Sequence, residues 1–147
     1  MAERFTSWRN PPDAELRAML ADRPVIALVG ASPRPNRPSH EVMTALLAEG
    51  YEVIPVNPSL TEVLGRVCHP SLRDIPRRVD LVDVFRRSEE TPPIAEDAVA
   101  IGARVLWLQL GVVNEEAWRV ARGGGLTVVM DRCLIVEHRR LIGYRHE

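Results

Sequence analysis

Lysine is missing altogether, and all 19 basic residues are arginine. A GC-rich coding sequence produces such a composition. It also places planar guanidinium forks, which match phosphate geometry, wherever the chain carries positive charge. Neither sign of charge dominates, with 19 basic against 20 acidic residues, so nothing global points to nucleic acid or to a membrane surface. Cysteine is scarce. Cys68 and Cys133 stand far apart, outside any CxxC pair and outside zinc spacing with histidine. That speaks against a metal centre and for a reduced, cytoplasmic protein. Long apolar runs are lacking too, and no stretch approaches the roughly 20 residues of a membrane helix. The opening "MAERFTSWRNPP" holds charge and two prolines but no apolar segment, so it is not expected to be a secretory signal.

What is present suits one domain. The chain has 147 residues, 46% of them hydrophobic, enough for a real core. There is no repeat, linker or low-complexity tract, so residues 1–147 are expected to form one unit, with 1–12 a loose N-terminal segment. After Pro11-Pro12, apolar spacing predicts a helix over 13–21. Ser39 is expected to cap a helix running to about Glu49, with Val42, Met43, Leu46 and Leu47 on one face. Two further helices are predicted: one with Pro92 or Pro93 in its first turn, and one capped by Asn114 with Glu115 and Glu116 behind it. A short helix is expected near the C-terminus. Strands are predicted near 24–29, 52–56, 80–85, 104–109 and 126–130. A short strand near 66–68 and a turn of helix near Ser71 fall between the second and third. Strands that are nearly continuous apolar runs, alternating with helices, indicate an α/β fold. The expected form is a Rossmann-like, doubly wound, mainly parallel five-stranded sheet with helices on both faces.

In such sheets a ligand sits beyond the carboxyl ends of the strands. The first of those ends reads "VIALVGASPRPNRPSH", Val25 to His40. An apolar strand reaches Gly30, as before a phosphate-binding turn. Ser32 then stands where a dinucleotide fold needs its second glycine. The second strand ends in Asn57, not in the acid that holds a ribose. Glu52 has nearly the right offset but begins the strand, at the far edge. The segment remains suited to an anion. Gly30 permits a tight turn, Ser32 and Ser39 offer hydroxyls, and the amides opening the next helix favour negative charge. Arg34 and Arg37 sit on a loop that prolines restrict. Phe85 with Arg86 and Arg87 follows the third main strand, where an aromatic ring and a guanidinium can flank a base or meet a phosphate.

Four stretches, "ALVGASPRPNRPSHEVMTALLAEGYEVIPVNP", "VDLVDVFR", "VLWLQLG" and "VVMDRCLIVEH", together resemble the small stand-alone CoA-binding proteins. These in turn resemble the N-terminal CoA-binding domain of the succinyl-CoA synthetase α subunit. The resemblance runs from about Asp13 to His138. It implies that the phosphates of coenzyme A, or of an acyl-CoA, lie on Gly30, Ala31 and Ser32, with Arg37 and Ser39 behind them; the loop charge of Arg34 is added from the residues themselves. It further implies that Asn57 and Pro58 line the nucleotide side, that Phe85 and Arg86 border the adenine, and that Gln109 and Gly111 close the site. The synthetase domain has a lysine near the end of its second strand, and this chain has none. Phosphate contacts must then come from arginine or backbone.

Catalysis has no evident carrier. The synthetase phosphohistidine lies in a further domain, and none of His40, His69, His138 and His146 stands in a nucleophile or metal motif. Each reads as a surface or packing residue, with His40 nearest the loop. Cys133, after a strand end and beside Arg132, is the candidate for thiol chemistry, against a plain packing role. Three readings stay open: a non-catalytic CoA- or acyl-CoA-binding module, an NAD(P)- or other nucleotide-dependent Rossmann enzyme, and an interaction domain with a vestigial site. The sequence leaves oligomeric state undetermined.

Overall fold

The computed structural model describes Phe5 and residues 8–144. Its centre is a five-stranded sheet of β1 (Ile26–Val29), β2 (Val53–Val56), β5 (Leu81–Val84), β6 (Val105–Leu108) and β7 (Thr127–Val129). The spatial order is β2-β1-β5-β6-β7, and every pairing is parallel. Between β2 and β5 lies a small antiparallel hairpin, β3 (Glu62–Val63) and β4 (Arg66–Val67), then a single 3-10 turn over Leu72–Asp74. The helices are α1 (Asp13–Ala21), α2 (Pro38–Ala48), α3 (Thr91–Ala100), α4 (Glu115–Gly123) and α5 (Leu134–Leu141).

Alternation along the strands divides the core into two layers. Ile26, Leu28, Leu81, Val105 and Trp107 pack with Leu16 and Leu20 of α1, Met43 and Leu46 of α2, and Leu134 of α5. Ala27, Val29, Val82, Val84, Leu106 and Leu108 pack on the other face with Ala95 and Ala98 of α3 and Ala117 and Ala121 of α4. Because both faces are covered, each of the four-residue strands is buried throughout, which is why they read as unbroken apolar runs.

The strands are shorter than expected by one or two residues at most ends. At β1 the reason is visible. Pro24 has no amide to give, and the Val25 N–H goes to the Asp80 carboxylate (2.9 Å) rather than to a neighbouring strand. The start of α2 also differs from expectation. Pro38 fixes helical φ at the first position, so Arg37 becomes the cap residue, with extended backbone and no side-chain cap bond. Ser39 is inside the helix and buried. Of the N-terminal segment expected to be loose, residues 1–4, 6 and 7 lie outside the described residues. Asn10 is tied down: its side-chain amide donates to the Met130 carbonyl (2.9 Å) and accepts from the Met130 N–H (2.8 Å). An amide side chain thus completes pairing at the end of edge strand β7.

Candidate functional site

Val56, Val29, Val84 and Leu108 stand side by side in register. The residues that follow them, Asn57, Gly30, Phe85 and Gln109, therefore leave the sheet at one level and one edge. The chain runs from β1 outward to β2, then returns to β5 on the other side of β1. The loops after β1 and β5 part at that switch point, where doubly wound sheets bind ligands. A cleft of about 1320 Å³ opens there, above the roughly 300–1,000 Å³ of a typical small-molecule pocket.

All twelve residues singled out from the sequence line it: Gly30, Ala31, Ser32, Arg34, Arg37, Ser39, Asn57, Pro58, Phe85, Arg86, Gln109 and Gly111. Their tasks differ. Gly30 adopts φ +91°, and a Cβ there would collide with the Phe85 carbonyl oxygen, so glycine is required on both counts. The Gly30 and Ala31 N–H groups both donate to the Val56 carbonyl (3.0 and 3.2 Å). Asn57 braces this turn, its amide nitrogen donating to the Ala31 carbonyl (2.8 Å) while its oxygen accepts from the Ser59 N–H (2.8 Å). Asn57 lines the cleft with both ends of its amide engaged. The Ser32 hydroxyl accepts from the Arg34 N–H (3.1 Å) and stiffens the proline-rich loop further.

Positive charge is distributed unevenly. Four arginines line the cleft, with Glu89 the one acid among the lining residues. Arg86 and Arg87 both pair with Glu90, at 3.0 and 2.8 Å. The Arg87 hydrogen bond, with help from Arg86, holds the Glu90 carboxyl below its ordinary range. The side chains of Arg34 and Arg37 have no partner among the described residues and are exposed. Glu52, the acid nearest the offset of a ribose-binding carboxylate, pairs with Arg77 at the opposite edge of the sheet.

The far wall is tied together by polar contacts. Gly111, at φ +83°, donates its N–H to Asp131 (2.7 Å). The Ser88 hydroxyl accepts from the Val113 N–H (3.1 Å), and its carbonyl from Asn114 (3.0 Å) and Thr91 (2.7 Å). Cys133 lines the cleft as the residue preceding α5. Asp131 and Arg132 form no ion pair among the described residues, although the Arg132 guanidinium donates to the Asp131 backbone carbonyl (2.9 Å). Asp131 holds Gly111, and Arg132 faces Glu137 at 3.8 Å. His40 falls in the first turn of α2, outside the cleft lining. His138 is deeply buried, bonded to Tyr51 and Glu49.

One polar residue at the floor escaped the sequence reading. Asp83 lies in the middle of β5, fully buried, and accepts from the side-chain amide of Gln109. Burial pushes its carboxyl up to about 8, with Gln109 pulling weakly the other way. The signal was an aspartate inside "VDLVDVF", a run otherwise read as apolar core. Among the described residues, no group of three or more His, Cys, Asp or Glu side chains could hold a metal ion. No helix there is long and apolar enough to cross a membrane.

Comparison with known proteins places the chain in a family. Residues 24–139 match the CoA binding domain family, and the chain belongs to it. It is 46% identical over 130 residues to the uncharacterized protein YneT of Bacillus subtilis, covering 88% of this chain and 96% of that one. It superposes on a hypothetical protein from Pyrococcus horikoshii OT3 with a TM-score of 0.89 at 43% identity, covering 95% of this chain and all of that one. It is also 28% identical over 120 residues to acetate–CoA ligase (ADP-forming) I of Archaeoglobus fulgidus. That match covers 75% of this chain and 18% of the ligase. The chain is thus homologous to the CoA-binding domain of ADP-forming acetyl-CoA synthetases, and most of its length is that one domain.

Proposed function

We propose that the chain binds coenzyme A or an acyl-CoA in the switch-point cleft as a single binding unit, without catalysis of its own. The observation that carries this reading is the pair Arg34 and Arg37. Two guanidinium groups without partners among the described residues line the cleft from a proline-held loop beside the Gly30 turn, and unpaired cations at a cleft favour phosphates. CoA brings a pyrophosphate and a ribose 3′-phosphate, so it gains from cations and needs no ribose-binding carboxylate. Gly30, Ala31 and Ser32 supply the turn on which phosphates lie, and Ser39 and the opening of α2 stand behind it. Pro58, Phe85 and Arg86 border the base, and Gln109 and Gly111 close the far side. Asn57 acts through the loop that it braces. The free thiols Cys68 and Cys133 suit a reducing, cytoplasmic setting.

A dinucleotide enzyme is disfavoured because the residue at the end of β2 is Asn57, whose amide is committed to Ala31 and Ser59. Side-by-side calorimetric titration with CoA, acetyl-CoA, NAD and NADP tests the reading. The expected result is CoA binding tighter than either dinucleotide. Equal or tighter NAD binding would favour the enzyme reading, and no binding of any of the four would favour an interaction domain with a vestigial site.

A further inference from the structure

The Asp83–Gln109 pair is not explained by phosphate binding. Asp83 stands in register with Leu28 of β1 and Trp107 of β6, in the central strand, with no exposed surface. One carboxyl oxygen takes the Gln109 amide, and the other has no partner among the described residues. Gln109 lines the cleft, and Asp83 is the one protein partner of its side chain among the described residues. The pair therefore links a carboxyl group sealed in the core to a side chain that a ligand can touch.

A charged carboxylate with a single hydrogen bond is costly in an apolar interior, by several kcal/mol, and neutralisation relieves that cost. Burial accordingly keeps the Asp83 proton on up to about pH 8. The neutral acid then has a hydrogen to place. On the group that Asp83 already contacts, the acceptor is the amide oxygen of Gln109, brought round by a half-turn of the amide. That turn releases the Gln109 NH2 group from Asp83. In the ionised state the geometry reverses, and NH2 returns to the carboxylate while the oxygen faces the cleft.

We propose that Asp83 is a positioning residue: as a neutral acid it donates to Gln109 Oε1 and so presents Gln109 Nε2 as a hydrogen-bond donor to a carbonyl or phosphoryl oxygen of the bound ligand. The proposal rests on the reading of the cleft as a CoA site. The surroundings leave the titration to this pair. On that face Leu28, Leu81, Trp107, Val42, Met43 and Leu134 carry no charge. Glu49 and His138 bond each other, and Glu137 bonds Arg140. Above it, the titratable lining groups are Arg34, Arg37, Arg86, Arg87, Glu89 and Cys133. None of these sets the Asp83 proton, which burial and Gln109 govern.

The test is calorimetric binding of CoA to the full chain at pH 7 and pH 9, for wild type and Asp83→Asn. If binding needs the neutral acid, proton linkage weakens wild-type affinity about tenfold over that interval. Asp83→Asn cannot ionise and lacks that step. Titration of the CoA thiol is common to both proteins and cancels in the difference. Repeating the comparison with 3′,5′-ADP locates the acceptor. A step seen with both ligands assigns it to the 3′-phosphate or the ribose-attached 5′-phosphate, and a step seen only with CoA assigns it to the outer phosphoryl group or a carbonyl of the arm. A second measurement needs neither variant nor ligand: the Gln109 side-chain NH2 resonances of the wild type should move with a midpoint near pH 8. CoA binding with the same pH profile in both proteins overturns the proposal, as do Gln109 resonances that do not move with pH. Failure of the wild type to bind CoA at pH 7 instead overturns the reading of the cleft, and the resonances still report on the pair.

Discussion

Gly30 lies directly against the Phe85 carbonyl, so the turn that follows β1 and the loop that follows β5 meet at the switch point with no room for a methyl group. That contact sets how far apart the two walls of the cleft stand. It also makes Gly30 a packing residue as much as a flexible one. Gly30→Ala should cost about 1–2 kcal/mol from the left-handed backbone alone, and more from the collision with backbone. Urea unfolding should show a lower midpoint, and CoA affinity should fall at least about tenfold, since 1.4 kcal/mol of misplacement is a factor of ten. An unchanged midpoint would mean that the Phe85 loop yields freely.

Arg37 and Arg86 are predicted to differ although both line the cleft. Among the described residues Arg37 has no partner to give up, whereas Arg86 is already neutralised by Glu90 at 3.0 Å. Arg37→Ala should weaken CoA binding by about 1.5–3 kcal/mol, the range for hydrogen bonds to charged groups. Arg86→Ala should weaken it less. Dephospho-CoA separates the phosphates. Loss of affinity for CoA alone assigns Arg37 to the 3′-phosphate, and equal loss for both ligands assigns it to the pyrophosphate. No loss with either makes Arg37 a solvated loop charge.

Much of this was legible before any coordinates. Apolar runs bounded by Gly30, Gly50 and Gly102 place the strands and helices, because strands buried on both faces and glycine-terminated helices leave strong local marks. The ligand edge followed from topology, since parallel strands send their carboxyl ends to one side. What was hidden is non-local. The sequence presents Asn57 as a ligand contact. Only the fold brings it against Ala31, 26 residues away in the chain. Ser39 looked like a cap because its type favours that position, but Pro38 moved the cap to Arg37 and the helix start by two residues. Asp83 sat within an apolar run, and nothing local tells a buried acid from one that escapes to solvent. The anchoring of Asn10 on Met130, 120 residues away, has no local signature at all.

Asn57→Ala tests the brace. It removes two hydrogen bonds, to Ala31 and from Ser59, each worth about 0.5–1.5 kcal/mol net. Gly30 and Ala31 keep their bonds to Val56, so the fold should survive with a lower unfolding free energy. CoA affinity should nonetheless fall, because the loop carrying Arg34 and Arg37 loses its tie to β2. Restoring the amide in a longer side chain, as Asn57→Gln, should not recover binding. Loss of stability with unchanged CoA affinity would separate the brace from the site.

The last prediction concerns acid stability and lies away from the cleft. His138 is almost wholly buried, with Nδ1 2.6 Å from the Tyr51 hydroxyl and Nε2 3.3 Å from Glu49. Burial pushes the Tyr51 hydroxyl up to about 12, so it keeps its proton at every working pH and can donate it to Nδ1. Neutral His138 then carries its own hydrogen on Nε2, facing Glu49. Burial is the largest influence on the imidazole and lowers it below its ordinary value of 6.5, with Glu49 opposing. The sign of the linkage follows. Below about 6.5 the unfolded chain takes up a proton at this histidine that the folded protein resists, so stability is fully present above that value and is lost as pH falls through it. Urea unfolding at pH 7.5 and pH 5 should therefore show a larger loss for wild type than for His138→Gln, which has nothing to titrate. Carboxylates elsewhere titrate alike in both proteins and drop out of the comparison. Equal losses in the two proteins would show that His138 takes up its proton in the folded state as easily as in the unfolded chain, and that Glu49 outweighs burial.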